Sequence, residues 1–421
     1  MSQYLGTFLH WPWKSFIISG VGRRWILLLG ASLAAVSVAA LALNLWAPSW
    51  ACRLWLCPES VQLSEARRLL LVGTPEAVRQ AAALCHDLVR RNPSSPFRWC
   101  DLAEAHLAAG DLDQARAAFA QAERVGPGIP QTLLRAASFY LRQGAYEDAL
   151  PRMSRILALT PAYDRLIFSY YDKLGIDFSK VLRLGIPAEA RPAQAYFQYL
   201  LSNASAQQSS QAWEWLGSLG FQSPELAGAF ASRLIRDGQA AQALTVWTAY
   251  VGPGQDGYPL RNLIYNGDFE RPALPSPFDW RILPAAGAAA SLEQSGCNCG
   301  RQCLRIKFRG TDNLTYQHVS QLVFAKPGRY RFQASLRADS ISTDQGVGFR
   351  IRDYENPSRL EWTTERILRT TGWRTVQLEF PVSPPARLLV VEVFRERSLK
   401  FDNQISGSVW IDCVRLEPVT P

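Results

Sequence analysis

The stretch WCDLAEAHLAAGDLDQARAAFAQAERVGPGIPQTLLRAASFYLRQGAYEDALPRMSRILALTP, Trp99 to Pro161, superimposes on itself when shifted by 34 positions. Trp99, Leu102, Ala103, His106, Gly110, Ala115, Phe119, Ala122 and Pro127 form one series. Leu133, Ala136, Ala137, Tyr140, Gly144, Ala149, Met153, Ile156 and Pro161 form the next. The apolar residues recur at helical spacing, so each block reads as two amphipathic helices. Gly110 and Gly144 fall where the turn between them needs a permissive backbone. The small residues let the paired helices approach, and the large ones fill the gap to the next pair.

This alternation and its closing proline resemble the tetratricopeptide (TPR) repeat. The pattern weakens outward from the two clear blocks. Residues 62–95 keep Ala81, Leu88 and Pro93, residues 224–253 recover Ala231, Gly238, Ala243 and Trp247, and 162–222 is helical without a clean repeat. A TPR-like all-α solenoid over residues 60–253, of about four to six hairpins, is the expectation, and the resemblance implies a protein partner in its groove. His106 takes a large-residue position and reads as core. The aromatic run Tyr163, Phe168, Tyr170, Tyr171, Tyr196, Phe197 and Tyr199 reads as filler between helices, with a ligand groove as the alternative.

Upstream, residues 25–47 carry no charge, and as a helix they reach ~33 Å, enough for a hydrocarbon core. Trp25, Trp46 and Trp50 mark the ends, where indoles favour the headgroup layer. Lys14, Arg23 and Arg24 precede the span and only Arg53 follows it closely. The positive-inside rule then makes residues 1–24 cytoplasmic and puts 51–421 outside. A cleaved signal peptide is the alternative. The long leader and the bulky Trp50 favour an uncleaved single-pass anchor.

Downstream, Gly252, Pro253, Gly254, Gly257 and Pro259 mark a linker, and period-2 strands follow. They are 304–308, 319–324, 330–338, 346–353, 374–380, 388–396 and 408–417, the signature of an antiparallel sandwich. In the last of these, alternation puts Trp410, Asp412, Val414 and Leu416 on one face and Ile411 and Cys413 on the other. The whole chain thus reads as multidomain: a transmembrane helix, an all-α TPR-like solenoid and an all-β jelly-roll sandwich.

Five features in order carry a second resemblance. They are Asn262-Leu-Ile-Tyr-Asn-Gly-Asp-Phe-Glu270, Trp280, Pro327-Gly-Arg-Tyr-Arg-Phe332, Gly372-Trp373 and Val409-Trp-Ile-Asp-Cys-Val414. Together, over residues 262–418, they resemble the carbohydrate-binding modules of the galactose-binding-like group. The resemblance implies a structural calcium tying the first strand to the last through Glu270 and Asp412, with backbone help near Asp268. It also implies aromatic platforms for sugar, for which Trp280, Tyr316, Tyr354 and Trp362 are the candidates, while Trp373 reads as core.

The bulk figures agree with this plan. A chain of 421 residues needs two or three cores, and 48% apolar with 19% charged residues excludes both a disordered and a polytopic chain. The net charge of +9 is scattered in single residues and pairs, so no nucleic-acid partner is expected. Eight cysteines fall in even groups: Cys52 and Cys57, Cys85 and Cys100, then Cys297, Cys299, Cys303 and Cys413. Even groups favour disulfides in an oxidising compartment, with a zinc or iron–sulfur site at 297–303 as the alternative. A Cys85–Cys100 bridge across a ~15-residue loop is expected to contribute about 3 kcal/mol.

Four histidines, His10, His86, His106 and His318, form no metal motif, and no nucleophile elbow or phosphate loop is present. No enzyme is expected, and no cofactor beyond calcium. The combination resembles membrane-anchored proteins of bacterial surface-polysaccharide export. That implies a periplasmic scaffold on the inner membrane, engaging glycan and protein. The rival is a pure adaptor whose sandwich caps the solenoid.

Overall fold

The computed structural model describes residues 20–47, 50, 58–252, 257–385 and 387–419. They divide into two compact units, Met1–Leu159 and Thr160–Pro421, so the division falls inside the helical array and not at the glycine- and proline-rich linker.

The first unit opens with α1 (Gly20–Trp46). Within it, Leu27–Trp46 is a 20-residue stretch of mean hydropathy 2.0, long and apolar enough to cross a membrane. Three antiparallel hairpins follow: α2 (Glu59–Val72) with α3 (Pro75–Arg91), α4 (Pro96–Ala108) with α5 (Leu112–Val125), and α6 (Pro130–Arg142) with α7 (Tyr146–Leu159). Local chemistry starts them. Proline occupies the first turn of α3, α4 and α6, while Thr74 and Asp111 accept the N–H groups of Ala77 and Gln114. Gly110 and Gly144 sit at φ +80° and +69°, the left-handed turn that their position in the repeat demands.

The alanines of both series, Ala103, Ala115, Ala122, Ala136, Ala137 and Ala149, are buried between helices together with Phe119 and Met153. Asp101 and Arg135, one repeat apart, meet at 2.8 Å, and Arg135 also reaches Glu104 at 2.8 Å. Burial opposes the Arg135 charge, but Glu104 and Asp101 outweigh it and hold the guanidinium above its ordinary value.

The second unit begins with α8 (Asp164–Lys173). Where its partner helix would lie there are only the turns Phe178–Lys180 and Val181–Gly185, because Gly175, Gly185 and Pro187 break the pattern. Two further hairpins follow, α9 (Ala190–Asn203) with α10 (Ala206–Ser218) and α11 (Pro224–Arg236) with α12 (Ala240–Val251). Phe168, Tyr171, Tyr196 and Phe197 are buried, with Phe168 and Tyr196 ring centroids 4.9 Å apart. These four of the aromatic run are core, while Tyr163, Tyr170 and Tyr199 are half-buried.

Two five-stranded antiparallel sheets complete this unit. One has the order β1 (Arg281–Ile282), β4 (Tyr316–Phe324), β9 (Leu388–Arg395), β6 (Gly348–Asp353), β7 (Glu361–Thr363). The other runs β2 (Ala288–Glu293), β3 (Cys303–Arg309), β10 (Ser406–Pro418), β5 (Gly328–Ile341), β8 (Arg369–Val382). β1, β2 and β7 were not legible from alternation. β1 and β7 are two and three residues long, and β2 opens on three alanines, poor strand formers.

Strict alternation also misplaces the end of β10. Cys413 adopts φ +49° and the register against β5 slips between Asp412 and Arg415. This bulge changes which parity faces inward. Val409 and Ile411 point into the core before it, Val414 and Leu416 after it. Trp410 lies outside the core, under the guanidinium groups of Arg337 (4.3 Å) and Arg305 (5.0 Å).

The last hairpin and the sandwich pack as one body. A Cβ on Gly228 of α11 would stand 1.9 Å from the carbonyl oxygen of Pro275, so only glycine allows this approach. Trp247 of α12 is wholly buried, its ring 5.6 Å from that of Tyr265. The sandwich loop that receives α11 is organised by buried Asp279, which accepts N–H from Leu274 (2.7 Å) and Trp280 (2.6 Å). Burial pushes the Asp279 carboxyl up to about 6.

Candidate functional site

Glu270 and Asp412, the pair expected to hold calcium, both contact the 297–303 loop. Asp412 is fully buried. Its Oδ2 accepts backbone N–H from Asn298 (2.8 Å) and Cys299 (2.7 Å), and its Oδ1 accepts from Cys413 (2.8 Å). Glu270 Oε1 accepts from Arg301 (2.5 Å) and Gln302 (2.6 Å). Residues 298–302 therefore turn successive amides toward both acids, an arrangement complementary to anions. Burial pushes the Asp412 carboxyl above its ordinary value, against the pull of the Cys299, Asn298 and Cys413 amides.

A calcium site needs oxygen lone pairs converging on the ion. Here N–H donors face the carboxylates, so the donor set does not fit calcium. The opening segment and the last strand are joined directly by backbone hydrogen bonds, Leu263 donating to Leu416 (2.8 Å) and Val414 to Gly267 (2.8 Å), and the loop between the two acids is fastened covalently. Cys299 bonds to Cys413, and Cys297 bonds to Cys303 at the base of the loop. Trp373, expected in the core, is half-buried and donates from Nε1 to the carbonyl of Gly296 (2.9 Å), pinning the same loop from outside. Sulfurs committed to disulfides are not thiolate ligands, which removes the zinc or iron–sulfur reading of 297–303.

The other cysteines divide. Cys52 and Cys57 lie outside the described residues. Cys85 and Cys100 are free and buried, so the bridge expected between them is not made. Each is a small apolar residue in the helix packing, and burial pushes both thiols up to about 12, far from the thiolate that oxidation needs. His106 is only half-buried and meets His86 of the preceding hairpin at 5.3 Å between rings, so it is not core.

The four aromatic candidates also separate. Trp280 and Tyr316 are 3% and 1% exposed. Trp280 packs on Phe269 and donates to the carbonyl of Asn266, and Tyr316 packs edge-on against Phe308, so neither offers a face to a ligand. Tyr354 and Trp362 are 45% and 40% exposed.

Tyr354 lines a 540 Å³ cleft between the α11–α12 turn and the sandwich loops, within the range of small-ligand sites. Arg236 and Gln239 stand on the helical side, Phe324 and Arg387 on the sandwich side. Trp362 lines a 220 Å³ hollow with Arg359 and Pro384, and Pro385 belongs to both spaces. The acids of the cleft are already engaged. Asp353 accepts N–H from Glu355 (2.9 Å) and Asn356 (2.7 Å), and Glu355 pairs with Arg359 at 3.0 Å. Arg236, Gln239 and Arg387 carry no mark in the sequence. Two belong to a repeat turn and one to an inter-strand loop, and only the packing of α11 on the sandwich brings them together.

Comparison with known proteins bears on each part separately. Residues 100–164 match the tetratricopeptide repeat family model. No curated protein matches the sequence. Among solved structures, a CBM4 module is 18% identical, covering 37% of this chain and 99% of its own, with a TM-score of 0.28. A family 16 carbohydrate-binding module is 19% identical over 37% of this chain and 99% of its own, TM-score 0.25. MamA from Desulfovibrio magneticus RS-1 is 16% identical over 46% of this chain and 93% of its own, TM-score 0.22.

Proposed function

We propose that this chain is a non-catalytic scaffold, held in the inner membrane by α1, with its body outside the cytoplasm. In this reading the TPR-like array engages a protein partner and the sandwich engages glycan during assembly or export of a surface polysaccharide. The observation that carries it is the pair of exposed aromatics, Tyr354 and Trp362, beside adjoining hollows of the sandwich. The apolar span Leu27–Trp46 and two disulfides support a tethered, oxidised setting. Catalysis finds little footing: the described histidines in closest contact, His86 and His106, meet edge to face, and the free thiols are buried and protonated.

A second reading is favoured by the close packing of α11 and α12 on the sandwich, which is how a pure adaptor would cap its array. An array of bacterial glycans probed with the full chain in detergent separates the two. Binding that is lost in Trp362→Ala supports the glycan scaffold. A flat array, with a protein that co-purifies stably, supports the adaptor.

A further inference from the structure

We propose that the cleft between the α11–α12 turn and the sandwich binds an anionic saccharide, one whose sugars carry carboxylates. This names a ligand class and a place for the glycan reading above, and it rests on that reading.

Charge decides the class. Asp353 is 2% exposed and is occupied by two backbone amides, and Glu355 is paired with Arg359, so neither acid is left to attract a cation. Among the described residues, Arg236 and Arg387 have no carboxylate partner, and both are exposed on the cleft walls. Two unpaired guanidinium groups across a polar cleft suit carboxylates, which each fork can hold through paired hydrogen bonds. Tyr354 supplies a flat apolar face for pyranose C–H edges, and Gln239 an amide for hydroxyls.

Shape decides the length. The cleft and the Trp362 hollow adjoin at Pro385, giving two neighbouring spaces of 540 and 220 Å³ with an aromatic side chain in each. A chain of several sugars fits this arrangement better than a single one. Preorganisation follows from the packing of Gly228 on Pro275, which fixes the helical wall against the sandwich wall, so binding does not have to order them.

The probes are a hexamer of a uronic acid and a hexamer of glucose, titrated into the full chain in detergent at low and at moderate salt. Four proteins are compared: the parent, Arg236→Ala/Arg387→Ala, Tyr354→Ala and Trp362→Ala. All the altered residues are exposed, and unchanged melting confirms that each variant folds. The uronic hexamer is expected to bind the parent, more weakly as salt rises, and to lose about 10-fold or more in affinity in the double arginine variant. Glucose hexamer bound as tightly as the uronic hexamer overturns the inference. So does uronate binding that survives both cleft variants and falls only in Trp362→Ala, although the glycan reading itself then stands. Failure of every saccharide overturns both.

Discussion

Replacing Cys299 and Cys413 together by alanine removes the covalent link between the 297–303 loop and β10. The link spans 114 residues of sequence. In the chain-entropy account, opening a loop of that length costs about 4.8 kcal/mol, because the unfolded chain regains the freedom that the cross-link denied it. Spread over the unfolding entropy of a body the size of the second unit, that is a fall of about 10 °C in Tm. The amides on Asp412 and Glu270 remain in the variant but must then be held by the loop alone. Full-length protein in detergent, followed by tryptophan fluorescence on heating, gives the measurement. Parent, double variant and parent in EGTA are compared. The variant is expected to melt about 10 °C lower, and the chelator to leave the parent unchanged. A parent that loses several degrees in EGTA, with a double variant that melts like the parent, would refute the reasoning, since an ion and not the disulfide would then fasten the loop to β10.

Gly228→Ala drives a Cβ into the Pro275 carbonyl and is expected to cost about 1–3 kcal/mol, read as a lower Tm of the second unit. A neutral outcome would mean that α11 and the sandwich are not in close contact. Asp279 binds its proton more tightly folded than unfolded, since burial raises it from 3.8 to about 6. Unfolding therefore releases a proton in that window, and stability falls by about 3 kcal/mol as pH rises from about 4 to 6. Asp279→Asn should flatten this slope, and denaturant melts at several pH values in parent and variant check it. Cys85 and Cys100 should resist maleimide at pH 8 in the native protein and react fully once it is denatured, as mass mapping would show. Finding them bridged would restore the sequence expectation.

The array was legible because its signal is periodic. Thirty-four-residue spacing, small residues at helix contacts and glycine at the turns each constrain the same hairpin, and Ala103, Phe119, Ala136 and Met153 are buried as that pattern requires. The long strands were legible for the same reason. What alternation could not carry was its own interruption. The bulge at Cys413 adds one residue, and every inward position after it changes parity. The candidate site was less legible still. A tryptophan reads alike in a core and on a platform, and burial alone separates Trp280 from Trp362. Arg236 and Arg387 lie far apart in sequence and meet only through tertiary packing, so no local pattern marks them. Glu270 and Asp412 were paired as ligands of one calcium, whereas here both accept amides of the 298–302 segment; carboxylates that bind a cation and carboxylates that accept amides look the same until the N–H groups are placed.

The proposed scaffold requires that the array and sandwich stand outside the cytoplasm on a single membrane span, where disulfides form. Alkaline phosphatase, which folds only under oxidising conditions, fused after Pro421 tests it most directly. An active fusion in intact cells is the expected result. An inactive fusion, together with activity of a reporter that works only in the cytoplasm at the same junction, would contradict it.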